Sequence, residues 1–168
     1  ALSSAASDVY KRQGYYDNRK NNEWVESRYV CKFMDVPYQN NDASNNYPVI
    51  RYADVILMYA EALNQNGKTA EACKYLNMTR RRGFGYQTTE TSPVDLQTTD
   101  KAQLALMVEQ ERRVELAFEN HRWFDLIRTG RAVEVMRSKG FSLNETNLIC
   151  PIPQKQIDVN PKLTQNDY

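Results

Sequence analysis

Three glutamates recur at every fourth position in the stretch from Glu109 to Gly130, EQERRVELAFENHRWFDLIRTG, and His121 follows them as the only histidine. Glu111, Glu115 and Glu119 with this imidazole could form a metal site or an acid–base site. The helical metal motifs are absent, because there is no HExxH and because position 118, where a Glu-x-x-His motif would need its glutamate, is Phe. A glycosidase would need two carboxyl groups facing each other across a cleft, not three on one helix stripe. We therefore predict no catalytic residue, no metal and no cofactor, and for His121 a capping or packing role.

Arginines surround these acids and suggest a structural role for them. Glu111 and Glu115 fall on or beside the apolar face of a predicted helix, where an unpaired ion would cost several kcal/mol, in order of magnitude. The sequence therefore predicts a cluster of ion pairs between helices, in which nearby arginines supply the counter-charges. The predicted members are Glu111, Arg112, Glu115, Arg122 and Arg128, with Arg113 as a further candidate cation.

A second group of residues could bind sugars. Residues 14–48 are rich in aromatic residues and Asn, with almost no helical periodicity, and indicate turns and loops. Sugar rings present C–H faces to flat aromatic side chains and hydroxyl groups to amides and guanidinium groups. Trp24 is the predicted stacking platform. The alternative is that these aromatic side chains anchor the loops to the core. The other predicted binding residues are Tyr15, Asn22, Arg28 and Tyr29.

The elements that would position these groups are mostly helices. Residues 51–82 predict a helical hairpin, whose first helix ends at Asn66-Gly67 and whose second begins at Thr69, a possible cap. The hairpin resembles a tetratricopeptide-like pair, which cannot bury its outer face alone. The first helix is predicted to bury one apolar side, made of Val55, Ile56, Tyr59, Ala60 and Leu63.

Further helices are predicted along the second half of the chain. A long helix begins near Asp100, a break occurs at Asn120, and shorter helices end at Gly130 and Gly140. Three prolines after residue 148 favour an extended C-terminal tail. The predicted fold class is therefore mainly α, with long loops and this extended tail.

Charge and cysteine usage exclude several classes of protein. Lys plus Arg is 22 and Asp plus Glu is 21, so a net charge of +1 gives no field that would gather nucleic acid. The sequence contains no run of eighteen apolar residues. The three cysteines are scattered and indicate neither a disulfide framework nor a zinc site.

The first thirteen residues are interpreted separately. Residues 3–13, SSAASDVYKRQ, back-translate with ordinary codons into a transposon-end adapter used for shotgun sequencing libraries. We predict that residues 1–13 are a disordered cloning scar, the alternative being a native polar tail. Residues 14–168 would then be the C-terminal part of a longer domain whose N-terminal half is missing.

Four blocks of sequence, in order, carry a family resemblance. They are RYADVILMYAEALNQNG, EACKYLNMTRRR, ERRVELAFENHRWFDLIRTG and PIPQKQIDVNPKLTQNDY, and together they resemble the C-terminal portion of the SusD/RagB family. The resemblance implies a SusD-like helical fold with tetratricopeptide-like pairs and a lipid anchor at the outer-membrane surface. It also implies non-catalytic binding of a glycan or another nutrient, and a SusC-like TonB-dependent transporter as partner.

Two functions from different classes remain open at this point. The first is capture of a glycan or other nutrient and its delivery to the transporter. The second is a helical-repeat module that holds a protein or peptide in a concave surface. The aromatic, Asn-rich segment before Tyr47 favours the first.

Overall fold

A computed structural model describes residues 10–17, 23–30, 32 and 46–168, giving the backbone of the first two ranges. The fold is mainly α-helical, as predicted. The chain divides into two compact units, Ala1–His121 and Arg122–Tyr168. The helices described are α1 Tyr52–Gln65, α2 Thr69–Gly83, α3 Lys101–Glu115, α4 Arg122–Arg128, α5 Ala132–Ser138 and α6 Gln154–Val159, with a 3₁₀ helix at Glu145–Leu148.

An antiparallel hairpin precedes the helices. Strand β1 (Tyr10–Asp17) pairs with β2 (Glu23–Val30), so that Tyr10 lies opposite Val30 and Asp17 opposite Glu23. The prediction of loops throughout residues 14–48 is therefore wrong for these strands, since β2 is rich in the β-formers Trp, Val and Tyr. The predicted disorder of residues 1–13 does not hold for the last four of them, which lie in β1. The origin of that segment as a cloning scar stays a prediction.

The predicted helical hairpin is confirmed as α1 and α2. The first helix ends at Gln65 with Asn66 as its cap, and Gly67 adopts a φ of 77°, the left-handed conformation that favours glycine. The cap of α2 differs from the prediction, because Lys68 occupies the cap position and Thr69 is the first helical residue. The Thr69 hydroxyl instead donates to Asn64 Oδ1 at 3.0 Å, which joins the two helices at their turn.

The buried face of α1 is rotated from the predicted one. Val55 and Tyr59 are 45% and 46% exposed, whereas Leu57, which follows Ile56 in the sequence, is fully buried. Polar residues share this buried face because they have partners, as Asp54 accepts from Arg112 at 2.7 Å. Periodicity of apolar residues alone misses such positions. The core comprises Leu57, Ala60, Leu63, Ala72, Cys73, Leu76, Leu104 and Val108.

Helix α3 begins where the sequence predicts. The Asp100 side chain accepts from Ala102 N at 2.8 Å and caps the helix. The helix ends at Glu115, and Phe118 and Asn120 then adopt φ values of 66° and 63°, a left-handed conformation that ordinary residues rarely take. The predicted break near Asn120 is thereby confirmed.

The second unit contains α4, α5 and the C-terminal tail. The predicted stops are confirmed, because Gly130 and Gly140 follow the two short helices with φ values of 69° and 85°. The tail is not extended throughout, since α6 forms between Pro153 and Pro161. Pro153 sits at the cap position with a φ of −54°, and a proline there removes no hydrogen bond from the helix. No helix in the described residues is long and apolar enough to span a membrane.

Candidate functional site

Glu115, the last residue of α3, is the centre of an ion-pair cluster. Its side chain is only 2% exposed. Arg51, which directly precedes α1, donates from Nη2 to Glu115 Oε1 at 2.6 Å. Arg82, near the end of α2, donates from Nη2 to both carboxylate oxygens at 2.6 and 2.7 Å. The carboxylate therefore joins the start of α1 to the ends of α2 and α3.

Glu119 extends the cluster beyond the end of α3. Arg51 Nε donates to Glu119 Oε2 at 2.7 Å, so one guanidinium group binds two acids. Lys32 forms an ion pair with Glu119 Oε1 and also donates to the carbonyl oxygens of Glu115 and Ala117, at 2.7 and 3.2 Å. A cation at a helix C-terminus is favoured by the helix dipole. Lys32 therefore caps α3 with a charge.

Two further ion pairs cross between the helices of the same unit. Arg80 of α2 donates to Glu111 Oε2 of α3 at 3.1 Å, and Arg112 of α3 donates to Asp54 of α1 at 2.7 Å. Both members of the second pair are about 5% exposed or less. Removing one member of such a pair would leave a buried ion without its partner. We name the ion-pair cluster as Lys32, Arg51, Asp54, Arg80, Arg82, Glu111, Arg112, Glu115 and Glu119.

Arg112 is a predicted member of this cluster, whereas Arg51, Arg80 and Arg82 were not predicted. Glu111 and Glu115 are bound from α2 and from the residue before α1, whereas Arg112 binds Asp54 of α1. Arg122 and Arg128 lie on α4 in the second unit, where Arg128 Nε donates to Asp125 Oδ1 at 2.9 Å. The prediction selected arginines close in sequence, and the fold instead brings in cations more than thirty residues away.

One signal in the sequence could have identified the true cations. Three consecutive arginines, Arg80 to Arg82, stand in the last turn of α2, where the helix dipole favours positive charge. Because α1 and α2 form a hairpin, the last turn of α2 returns to the start of α1 and so to Arg51. A search for charges at helix ends would have found Arg51 and Arg82, whereas nothing in the pattern marks Lys32.

Burial and ion pairing act in opposite directions on the pKa values of these acids. Burial raises the pKa of Glu111 and outweighs the hydrogen bond from Arg80 that lowers it. Burial also acts to raise the pKa of Glu119, but the hydrogen bonds from Arg51 and Lys32 prevail and the pKa is lowered. The pKa of Arg51 is raised, because its bonds to both glutamates outweigh the effect of burial. The cluster thus favours the ionised form of Glu119 and disfavours that of Glu111.

The chemistry open to these acids is restricted by their partners. Glu115 and Glu119 each form ion pairs with two cationic side chains. Within the described ranges, no group of three or more His, Cys, Asp or Glu residues is placed to hold a metal ion. His121 is half-buried directly before α4. The geometry of the cluster is that of a scaffold that fixes helix ends.

The residues predicted to bind sugar fall mostly on the hairpin. Trp24 and Arg28 lie in β2, with Tyr16 opposite Trp24. Tyr29 also lies in β2, and Tyr15 lies in β1 opposite Val25. Successive positions of a strand alternate between faces, so the Trp24 and Arg28 positions share one face and the Tyr15 and Tyr29 positions share the other. The remaining candidate, Asn22, lies outside the described residues.

Comparison with known proteins identifies relatives over most of the chain. The profile of the SusD family (SusD/RagB) matches residues 3–168. SusD-like protein P38 of Formosa agariphila is 37% identical over 138 residues, which are 82% of this chain and 27% of that protein. This chain therefore spans about a quarter of the length of that relative.

Solved structures give the same result. A SusD homologue of Bacteroides thetaiotaomicron VPI-5482 is 30% identical, with a TM-score of 0.67, over 88% of this chain and 32% of that one. A laminarin-binding SusD-like protein is 32% identical, with a TM-score of 0.57, over 89% of this chain and 32% of that one. These matches also cover only about a third of the solved chains.

Proposed function

Since the chain belongs to the SusD family, we propose that it is part of a protein that binds a glycan, or another nutrient, at the cell surface. The 32% identity to a laminarin-binding relative supports a glycan as the ligand. The protein would retain its ligand and leave it chemically unchanged. The free energy of ligand binding would serve to capture the ligand at the cell surface.

The observation that carries the non-catalytic part of this proposal is the pairing of the acids. A glycosidase needs one carboxylic acid to donate a proton and a second carboxylate to attack or activate water. Glu115 is buried and accepts hydrogen bonds from Arg51 and Arg82, so both of its oxygens are already bound within the protein. An acid held in this way supports helix packing and is poorly suited to proton transfer.

For the ligand surface we propose the face of the hairpin that carries the Trp24 position. Tyr16 lies opposite Trp24, and Arg28 is four residues further along the same strand. This combination offers aromatic rings for the C–H faces of a sugar and a guanidinium group for its hydroxyls. Tyr15 and Tyr29 would contribute from the other face only to a ligand that wraps the hairpin edge, and Asn22 would contribute from between the strands.

The partner and location follow from the family in the same proposal. Capture at the outer membrane would require a lipid anchor, and delivery would require a SusC-like TonB-dependent transporter. The cluster of ion pairs would hold the helical unit rigid during this transfer. Co-purification of the protein with an outer-membrane transporter from the native host tests the partnership, and isolation without one would contradict it.

Affinity electrophoresis in gels that contain a glycan tests the ligand surface. Laminarin is the first glycan to use, followed by a panel of other glycans. We expect Trp24→Ala to abolish retardation, because it removes the proposed aromatic surface for the C–H faces of the sugar. Tyr15→Ala is the matched control from the opposite face and should keep most of the retardation. Equal retardation of both variants and the parent chain would remove the Trp24 face from the proposal.

A second candidate function has one observation in its favour. Tyr52, Val55 and Tyr59 lie on an exposed side of α1, and Tyr59 contacts Tyr75 of α2 edge to face at 4.7 Å between ring centroids. An exposed apolar helix face suits a helical-repeat module that binds a protein or peptide. Retention of a peptide library, with no retardation by any glycan, would favour this function over the first.

A further inference from the structure

The connector between α2 and α3, residues 84–100, is held in place by side chains. Arg81 of α2 forms a two-pronged ion pair with Asp95, at 2.7 Å from Nε to Oδ1 and 2.5 Å from Nη2 to Oδ2. Arg81 Nη1 also donates to the carbonyl oxygen of Thr88 at 3.0 Å, and Ser92 donates to Asp95 Oδ1 at 2.9 Å. Paired N–H donors of this kind fix both distance and orientation.

Two more contacts hold the second half of the connector. Asn77 donates to the carbonyl oxygen of Leu96 and accepts from Leu96 N, both at 2.8 Å, as a neighbouring strand would. Cys73 Sγ donates to the carbonyl oxygen of Thr98 at 3.6 Å. The connector therefore stands at a fixed distance from α2 although it has no regular secondary structure over most of its length.

A cavity of about 550 Å³ lies between this connector and α2. Its volume is within the range of pockets that bind small molecules, roughly 300–1,000 Å³. Because one wall is a helix face and the other is pinned by ion pairs and hydrogen bonds, the cavity exists before any ligand enters. A preformed site avoids the cost of ordering a loop on binding. Its lining includes Ala70, Lys74, Thr91, Gln97 and Thr99.

Most of the accessible lining surface is apolar, and polar side chains stand among it. Asp95 is the only acid on the lining and is occupied by Arg81 and Ser92, whereas Lys74 is exposed. The two cations Arg81 and Lys74 against one acid leave a net charge of +1. The hydroxyl groups of Thr91 and Thr99 add neutral donors and acceptors. A ligand that matches this lining has an apolar face, hydroxyl groups and one negative charge.

We propose that this cavity binds a saccharide unit that carries a carboxylate, such as a uronic acid. The ligand carboxylate would accept from Lys74 Nζ, its hydroxyl groups would bond to the threonines and to the Gln97 amide, and its ring would lie on the α2 wall at Ala70. This site is separate from the hairpin surface, and binding in the cavity does not depend on binding at the hairpin. It would let a protein that binds glycans distinguish acidic from neutral sugars.

Titration of the full chain with D-glucuronate, followed by amide chemical shifts, tests the proposal. D-glucose is the neutral counterpart of similar size. We expect shift changes at Ala70, Gln97 and Thr99 with glucuronate and a dissociation constant at least about fivefold lower than for glucose, because charge-assisted hydrogen bonds are roughly twice as strong as neutral ones. Equal affinities for the two sugars, or no shift change on this lining, would overturn the proposal.

Three variants locate the binding. Ala70→Trp fills the cavity and should abolish the shift changes, while Lys74→Met should raise the dissociation constant for glucuronate about fivefold or more and leave glucose unchanged. Lys155→Met removes an exposed charge on α6 and is the matched control. Thermal melts confirm that each variant folds. If Ala70→Trp binds glucuronate with the affinity of the wild type, the cavity is not the site. If only Trp24→Ala loses binding, glucuronate binds at the hairpin, which also refutes the cavity site.

Discussion

Replacing Glu115 by Ala should destabilise the first unit strongly. The side chain is 2% exposed and carries hydrogen bonds from Arg51 and Arg82, so the change removes a buried acid from two cations at once. Breaking a buried ion pair typically costs about 3–5 kcal/mol. Two features reduce the cost here. The Arg82 side chain is 51% exposed and can regain water, and Arg51 keeps its bond to Glu119.

We therefore expect a loss of about 3 kcal/mol, at the lower end of that range. For a chain of this size the melting temperature should fall by about 6–12 °C, at roughly 2–4 °C per kcal/mol. Arg82→Ala should cost only about 1 kcal/mol, because Glu115 keeps Arg51 and the guanidinium group is half-exposed. Urea unfolding followed by circular dichroism measures these free energies.

Glu71→Ala is the matched control for loss of a helical acid. Its side chain is 41% exposed and its ion pair with Lys68 is long, at 3.7 Å, so the loss should stay below about 1 kcal/mol. The double variant Arg82→Ala/Glu115→Ala measures the coupling between the two residues. If Glu115→Ala costs no more than Glu71→Ala, the reasoning that this carboxylate holds the helix ends together is refuted.

Three other predictions test separate parts of the structure. At pH 7, Glu111→Gln should lower the free energy of unfolding less than Glu115→Gln does, because burial raises the pKa of Glu111 and already disfavours its ionised form. An equal or larger decrease for Glu111→Gln in urea unfolding would contradict this. The hydrogen bonds from Arg81 lower the pKa of Asp95 from 3.8 to about 2, so its stabilisation is complete above about pH 4 and is lost as the pH falls towards 2. Asp95→Asn should remove that pH dependence from the urea midpoint. A midpoint that still falls by the same amount at acidic pH in Asp95→Asn would contradict this prediction. Lys32→Met should speed amide hydrogen exchange in the hairpin strands, because it removes the contacts of Lys32 with the end of α3. Lys32→Arg should restore the protection. Equal exchange in the wild type and both variants would show that these contacts do not stabilise the hairpin.

The sequence predicted the helices well where local rules decide the structure. Gly67 and Asp100 mark helix ends through backbone conformation and capping, which depend on a few neighbouring residues. The short α6 departs from the predicted extended tail because Pro153, at the cap position, is compatible with a helix start. The hairpin was missed because its Asn-rich surroundings outweighed the β-forming residues of β2.

The ion-pair cluster shows what local rules leave undetermined. Buried acids at Glu111 and Glu115 were predicted correctly from helical spacing, since spacing defines the face of one helix. The cations that bind them come from α2 and from Arg51, and their positions depend on how the helices pack. The same holds for the buried Asp54, whose partner Arg112 is 58 residues away. Packing decides which charges meet, and the sequence marks only those cations that stand at helix ends, such as Arg51 and Arg82.

Under the proposed function, the acids of the ion-pair cluster are structural and the ligand leaves chemically unchanged. The direct measurement is the release of new reducing ends when the full chain is incubated with laminarin and a panel of other glycans, read by mass spectrometry beside affinity electrophoresis. We expect at least one glycan to retard the protein in the gel, and no glycan to yield new reducing ends. New reducing ends that disappear in Glu115→Gln would contradict it.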